Sequence, residues 1–367
     1  MKIGILTFHD ALNVGAVLQA FALQEYIEGL GYNIEFINYS CRPKFTVKRI
    51  VGRTLSNTIA KIKDFANYTL YGMRGKYNKV LHVSKVEYSN KTLSEANSEY
   101  DIFIVGSDQV WNFNRKLNYA YLLSFVNEKK KKVAYAVSMG QCNIPIHLHD
   151  ELKTHLRSFN YVSCREENAT VFLNSLTENT LSVRQCVDPT LLISPVLYEN
   201  IAVKPKRERF AVSYILNQLD AKQRREIVAF CRNKKIPLVN LRNPDTCIRL
   251  KSAENKVVPP YEWLGYIIDS EYVVCGSFHA TVFSLIFHKQ FVVIESEDIY
   301  ASGGNQRVRS LLRPLGLEDR CICHEHISVV IEREIDWQSI DKRLDVIRKD
   351  SECFLNNDYD FCSNSFV

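Results

Sequence analysis

No apolar run in this 367-residue chain approaches the roughly 18 to 20 residues needed to cross a bilayer. The opening MKIGILTF holds one lysine and a very short apolar stretch. That is too brief for a signal-peptide core and fits a first β-strand, so the protein is expected in the cytoplasm. Low-complexity tracts and internal repeats are missing too. With 46% hydrophobic and 24% charged residues, the chain falls outside the disordered and fibrous classes. No GxGxxG is present, so a dinucleotide is not implied, and no common zinc spacing occurs.

Cysteine is plentiful, but not in a form that predicts disulfides. The count is eleven, an odd number, and Cys142, Cys164, Cys186, Cys231 and Cys275 sit in or beside apolar stretches. Reduced, buried thiols are expected. The densest group, Cys321-Ile-Cys-His-Glu-His326, carries residue types that suit a soft metal. Alternation along an ordinary strand explains it equally well, and no metal is expected.

The net charge of +6 is unevenly placed. Residues 42–85 hold eleven Lys or Arg and one acid, Asp64, which leaves the remainder of the chain at −4. This basic helical excursion is either a solvated surface or a contact for an anionic partner. A membrane surface at the inner face and a lipid diphosphate-linked sugar are such partners, and no nucleic acid is expected.

The rest alternates strand and helix. A strand at 2–7, a helix at 16–30 ended by Gly31 and a strand at 34–38 form a β-α-β unit. Further strands at 100–106, 132–137, 161–163 and 183–187, with helices between, complete a first α/β domain over residues 1–193. Residues 194–207 carry two prolines and several charges and read as a linker. The alternation then restarts over 208–335, and a last helix within 336–367 is free to pack on either half. The expected fold is α/β, with two Rossmann-like doubly wound domains facing a cleft.

Polar residues cluster where strands end. Thr7-Phe-His-Asp-Ala-Leu-Asn-Val-Gly15 places Asp10, Asn13 and Gly15 before a helix, where backbone N–H groups are open to a phosphate or sugar hydroxyls. An N-cap at Asn13 and a tight turn at Gly15 are compatible with that. Gly106-Ser-Asp-Gln-Val-Trp-Asn112 follows a buried strand. Its Ser107, Asp108, Trp111 and Asn112 suit a carbohydrate pocket, with Asp108 a candidate base, or else an ordinary turn. Arg165 lies just before a helix and either forks onto an anion or pairs with Glu166 or Asp188. Ser302-Gly-Gly-Asn-Gln-Arg-Val-Arg309 reads as a flexible loop carrying Asn305, Arg307 and Arg309. The i,i+2 spacing lets one of the two arginines serve the cleft. His279, in CGSFHATVFSLIF, sits where a strand turns into a helix whose N-terminus favours the neutral imidazole. It is either structural or a proton-transfer group.

Taken in order, ILTFHDALNVGAVLQAFALQ, YDIFIVGSDQVWN, SCREENA, VDPTLL, SFHATVFS and NQRVRSLLRPLGLEDR resemble the polysaccharide pyruvyl transferase family over nearly the whole chain except the basic excursion. The resemblance implies a fold similar to the GT-B glycosyltransferases, with an acceptor side in the first domain and a donor side in the second. It implies transfer of pyruvate from phosphoenolpyruvate onto two sugar hydroxyls as a cyclic ketal, without a cofactor, in cell-envelope polysaccharide synthesis. It also implies a catalytic role for His279, with the donor held by Arg165 and Arg307. Many family members have Arg-Leu-His where this chain has Ser277-Phe-His279, so Ser277 marks a change on the donor side. The rival readings are a GT-B-type glycosyltransferase using a nucleotide sugar, with Glu262 or Asp269 as the ribose carboxylate, and a noncatalytic glycan- or membrane-binding protein.

Overall fold

The computed structural model describes residues 1–10, 13–39, 58–59, 62, 80–113, 117–140, 142, 144–216, 218–243, 248–295, 302–323 and 326–356. Most of the basic excursion, together with His324 and Glu325 of the cysteine–histidine group, lies outside them. Among the described residues no helix is long and apolar enough to cross a membrane, and no group of three or more His, Cys, Asp or Glu is arranged to hold a metal.

The first domain is a seven-stranded sheet in the order β3-β2-β1-β4-β5-β6-β7. Its strands are β1 (Lys2–Leu6), β2 (Asn33–Tyr39), β3 (Val83–Tyr88), β4 (Ile102–Val105), β5 (Lys131–Val137), β6 (Tyr161–Cys164) and β7 (Val183–Gln185). The second is six-stranded, β10-β9-β8-β11-β12-β13. It is built from β8 (Ala211–Ile215), β9 (Leu238–Leu241), β10 (Glu254–Lys256), β11 (Tyr272–Gly276), β12 (Gln290–Ile294) and β13 (Cys321–Ile322). Every recorded pairing between named strands is parallel, as in β1 with β4 (Ile3 opposite Ile102) and β8 with β11 (Ala211 opposite Tyr272). Strands covered on both faces read as continuous apolar runs, and Ile102-Phe-Ile-Val105 is buried at every position.

In each sheet the strand order reverses once, between β1 and β4 in the first and between β8 and β11 in the second. Ligands of doubly wound sheets sit at such switch points, beyond the carboxyl ends of the strands. The helices are α1 (Val14–Gly29), α2 (His149–Leu156), α3 (Glu167–Leu176), α4 (Pro195–Ile201), α5 (Ala221–Asn233), α6 (Pro260–Asp269), α7 (Phe278–Ile286), α8 (Ser302–Leu312), α9 (Ile327–Ile331) and α10 (Trp337–Asn356).

Helix α1 explains how the two sheets are held. Residues 14–24, its first three turns, are all buried and have no polar face to turn to water. Its own sheet covers one side, and the second domain covers the other through a relay of rings. Phe21 lies 6.1 Å from Tyr198, Tyr198 5.0 Å from Phe283, and Phe283 5.7 Å from Trp263. One apolar cluster therefore runs from Ile3 and Val17 through to Trp263 and Phe291.

Helix α10 ties the same two halves together from outside. Trp337 stacks on His288 at 4.7 Å and Arg343 donates to the Leu315 carbonyl, both in the second domain. Arg348 then donates to the Leu191 carbonyl, and Phe354 packs near Tyr135 in the first. The last helix packs on both domains rather than on one.

The segment expected as a flexible loop at 302–309 is helical instead, forming most of α8. Two glycines are weak helix formers, at about 1 kcal/mol each relative to alanine. Packing further along overrides them, since Val308, Leu311 and Leu312 are buried.

Candidate active site

The carboxyl ends of the two switch points converge on one cleft of about 80 Å³. From the first domain come Asn13, after β1, and Asp108 and Gln109, after β4. The second contributes Leu216, after β8, Gly276 to His279, at the end of β11, and Arg307 and Val308 from α8. Tyr214, Val293 and Ile294 complete the lining.

Each polar member is fixed locally. Asn13 is the N-cap of α1, its side chain accepting from Gly15 N at 3.0 Å. Ser277 is the N-cap of α7, accepting from Ala280 N at 3.2 Å. The cap makes Phe278 the first helical residue and puts His279 in the first turn; the helix starts two residues before Ala280, where the pattern places it. Asp108 has φ of 69°, a left-handed conformation that Asp tolerates better than most residues. It is buried, at 6% exposure, and is one of the residues lining the cleft.

His279 lies between the domains. A Cβ built on Gly15 would stand 2.0 Å from its Nδ1, so the imidazole rests where only glycine leaves room. On the other side Nε2 lies 3.7 Å from Asp188 Oδ2.

Asp188 is the anchor of the buried network. Its Oδ1 accepts from Thr190 N at 3.1 Å and Thr190 Oγ1 at 2.6 Å. Its Oδ2 accepts from Ser107 Oγ at 3.3 Å and from Arg165 Nη1. Burial opposes the charge of this carboxylate, but the Arg165 cation and the hydrogen bonds outweigh it and hold the group well below the usual carboxylate range.

Arg165 is enclosed by carboxylates. Beyond Asp188, its Nε lies 3.5 Å from Glu166 Oε1 and its Nη2 3.9 Å from Asp108 Oδ1. The guanidinium carbon sits 4.1 Å from the Phe278 ring. Burial works against its charge, and the anions Asp188, Glu166 and Asp108 more than compensate. Arg165 is therefore a paired strut behind the cleft and not one of its lining residues. The cation that lines the cleft is Arg307. Burial, and then repulsion from Arg165, push its pKa down to about 10. Gln109, with its carboxamide oxygen toward the guanidinium, accepts from Arg307 Nη2 at 2.9 Å.

Arg309 turns away, donating from Nε and Nη2 to Glu295 at 2.7 and 2.6 Å. One arginine of the pair serves the cleft, as the spacing implies. The backbone of Asn305 is helical, and its side chain lies outside what is described.

On the acceptor side the residues divide. Ser107 is fully buried, donating to Ala136 O and Asp188, and serves the network rather than a sugar. Trp111 is also fully buried. Its N–H donates to the Tyr121 carbonyl and its ring packs on Phe113 and Phe159, so no face is left for a sugar. A buried aromatic and a stacking platform look the same in sequence. Asn112 is exposed beside Gln109. Asp10 is exposed and outside the cleft lining, and neither Glu262 nor Asp269 lines it.

Sequence reasoning does not assign Asp188, Tyr214 or Phe278 to the site, nor the apolar lining residues Leu216, Val293, Ile294 and Val308. For Asp188 a signal existed, because Asp-Pro-Thr allows an Asx-type cap. In the sequence it stands only as a break in the pattern and as one of two candidate partners for Arg165.

A family model, polysaccharide pyruvyl transferase, matches residues 13–298. The chain belongs to the polysaccharide pyruvyl transferase family. The match takes in the loop after β4, Asp188, His279 and the whole of helix α1, with Asn13 from the loop after β1. A search of the curated proteins finds no match. Among solved structures, this transferase is similar to the glycosyltransferase SnogD from Streptomyces nogalater, at 10% identity and a TM-score of 0.43, covering 96% of this chain and 95% of that one. It is similar to a UDP-GlcNAc 2-epimerase from Methanocaldococcus jannaschii, at 12% identity and 0.45, covering 95% and 93%. A third is UGT2 of Phytolacca americana, at 8% identity and 0.46, covering 96% and 94%. These likenesses concern the fold.

Proposed function

We propose that this family member moves pyruvate from phosphoenolpyruvate onto two hydroxyls of one sugar, closing a cyclic ketal during synthesis of a cell-surface polysaccharide. The observation that carries the reading is the meeting of His279, Arg307 and Asp108 in one small cleft. Phosphoenolpyruvate is compact and strongly anionic, and a guanidinium forks onto carboxylate or phosphate oxygens. Leu216, Ile294 and Val308 add an apolar floor suited to its methylene group.

In this scheme His279 gives a proton to the methylene carbon, and the double-bond electrons form the new C–H bond. A sugar hydroxyl adds to the adjacent carbon and loses its proton to Asp108, from which it returns to His279 through solvent. The phosphate leaves as the second hydroxyl closes the ring, and that hydroxyl's proton departs with the phosphate. General acid–base steps of this kind contribute about 100- to 10,000-fold. The scheme calls for no metal or cofactor. A lipid diphosphate-linked sugar is the proposed form of the acceptor, met at the membrane through residues 42–85.

The test is phosphate release from phosphoenolpyruvate across a panel of lipid-linked and activated sugars. His279→Ala should abolish release while phosphoenolpyruvate still raises the melting temperature, since a ligand bound to the native state stabilises it. Near wild-type turnover in that variant would remove His279 from the chemistry. Stabilisation by nucleoside diphosphates but not by phosphoenolpyruvate would point to a nucleotide-sugar transferase instead.

A further inference from the structure

The two nitrogens of His279 have different surroundings. Nε2 is fully enclosed and has no hydrogen-bond partner among the described residues. The carboxylate recorded beside it is Asp188 Oδ2, 3.7 Å away. An ionised carboxylate only accepts, so the nitrogen turned toward it lowers its energy by carrying the proton. A buried polar nitrogen left without a partner is costly, which reinforces that assignment. Nδ1 lies at the opposite edge of the contact, over Gly15. With Nε2 sealed, Nδ1 is the nitrogen left for the cleft that His279 lines.

We propose that Asp188 and Gly15 are positioning residues that commit His279 to proton transfer through Nδ1, Asp188 by holding the hydrogen on Nε2 and Gly15 by giving the ring its only seat. Both residues belong to the first domain and His279 to the second, so the acid–base group is completed across the domain interface. The relay of rings from Phe21 to Trp263 makes that interface core-like. Large apolar interfaces suppress relative domain motion, and the pair is assembled before substrate arrives. The other charged groups of the network, Arg165, Glu166, Asp108 and Arg307, act on Asp188 or on the cleft and have no recorded contact with Nε2.

This inference rests on His279 being the proton-transfer residue, and its test separates the two. In the full chain labelled with ¹⁵N-histidine, long-range ¹H–¹⁵N spectra in mildly alkaline buffer report the tautomer of each neutral imidazole. The His279 signals are those missing in His279→Gln. The expected result is hydrogen on Nε2 in the wild type and a mixture with the Nδ1–H form in Asp188→Asn. A wild-type Nδ1–H tautomer, or a tautomer that Asp188→Asn leaves unchanged, overturns the proposal whatever the turnover.

Gly15→Ala leaves every charge in place and displaces the ring. Misplacement of a reacting group by about 1 Å can cost on the order of 100-fold in rate, so kcat should fall by about that factor. The KM for phosphoenolpyruvate should stay within about threefold, because the donor is held elsewhere. Unchanged kcat in a folded Gly15→Ala protein also overturns the proposal. If the tautomers behave as expected but no pyruvylation occurs with any acceptor, the positioning stands and the assigned reaction falls.

Discussion

At the scale of single residues, the buried pair of Arg165 and Asp188 shows what a motif can and cannot tell. SCREENA places an arginine at a strand end, and a fork onto substrate and a structural pair are indistinguishable at that level. Only the fold reveals that Asp188, distant from Arg165 in sequence, closes on it with both side chains under 10% exposed. Removing one partner of such a pair strands the other charge, at a cost of about 3–5 kcal/mol. Arg165→Gln should therefore lower the melting temperature strongly at pH 7. The depressed Asp188 contributes stability that is present above its unfolded value of about 4 and lost as pH falls toward its folded value. In the variant Asp188 loses the cation that does most to keep it ionised, so most of that contribution is gone. The gap in melting temperature between wild type and variant should hold from pH 7 down to about pH 4 and narrow as the pH falls below it. A constant gap would mean that the loss is not electrostatic.

Among the elements, α8 is where sequence and structure part. Its two glycines read as punctuation, yet the helix forms because its carboxyl half is packed, a force invisible to local propensity. The spacing of its arginines was legible all the same. Two residues apart on a helix, Arg307 and Arg309 point to different sides, one to the cleft and one to Glu295. Their variants should fail in different ways. Arg307→Ala is expected to raise the KM for phosphoenolpyruvate at least tenfold with little change in melting temperature, as loss of a charged hydrogen bond worth about 1.5–3 kcal/mol implies. Arg309→Ala leaves the buried Glu295 without its fork and should cost about 1–2 kcal/mol of stability with KM unchanged. Parallel kinetics and melting curves decide it, and a KM effect confined to Arg309→Ala would reverse the two roles.

Across the whole molecule, two doubly wound domains were readable from alternating apolar runs and a charged, proline-bearing linker, because parallel strands buried on both faces announce themselves. How the domains join was not readable. Neither the double contact of α10 nor the ring relay through Tyr198 leaves a periodic trace, since both depend on partners far along the chain. With one apolar cluster spanning both sheets, unfolding should be a single cooperative transition in calorimetry, with calorimetric and van't Hoff enthalpies agreeing. Two resolved transitions would show that the halves melt independently. Helix α1 draws one more consequence from that shared core. Most helices have a wet side on which sequence can drift at little cost, but residues 14–24 are enclosed on every side. For these three turns, and the glycine among them that seats His279, neutral change has almost nowhere to begin.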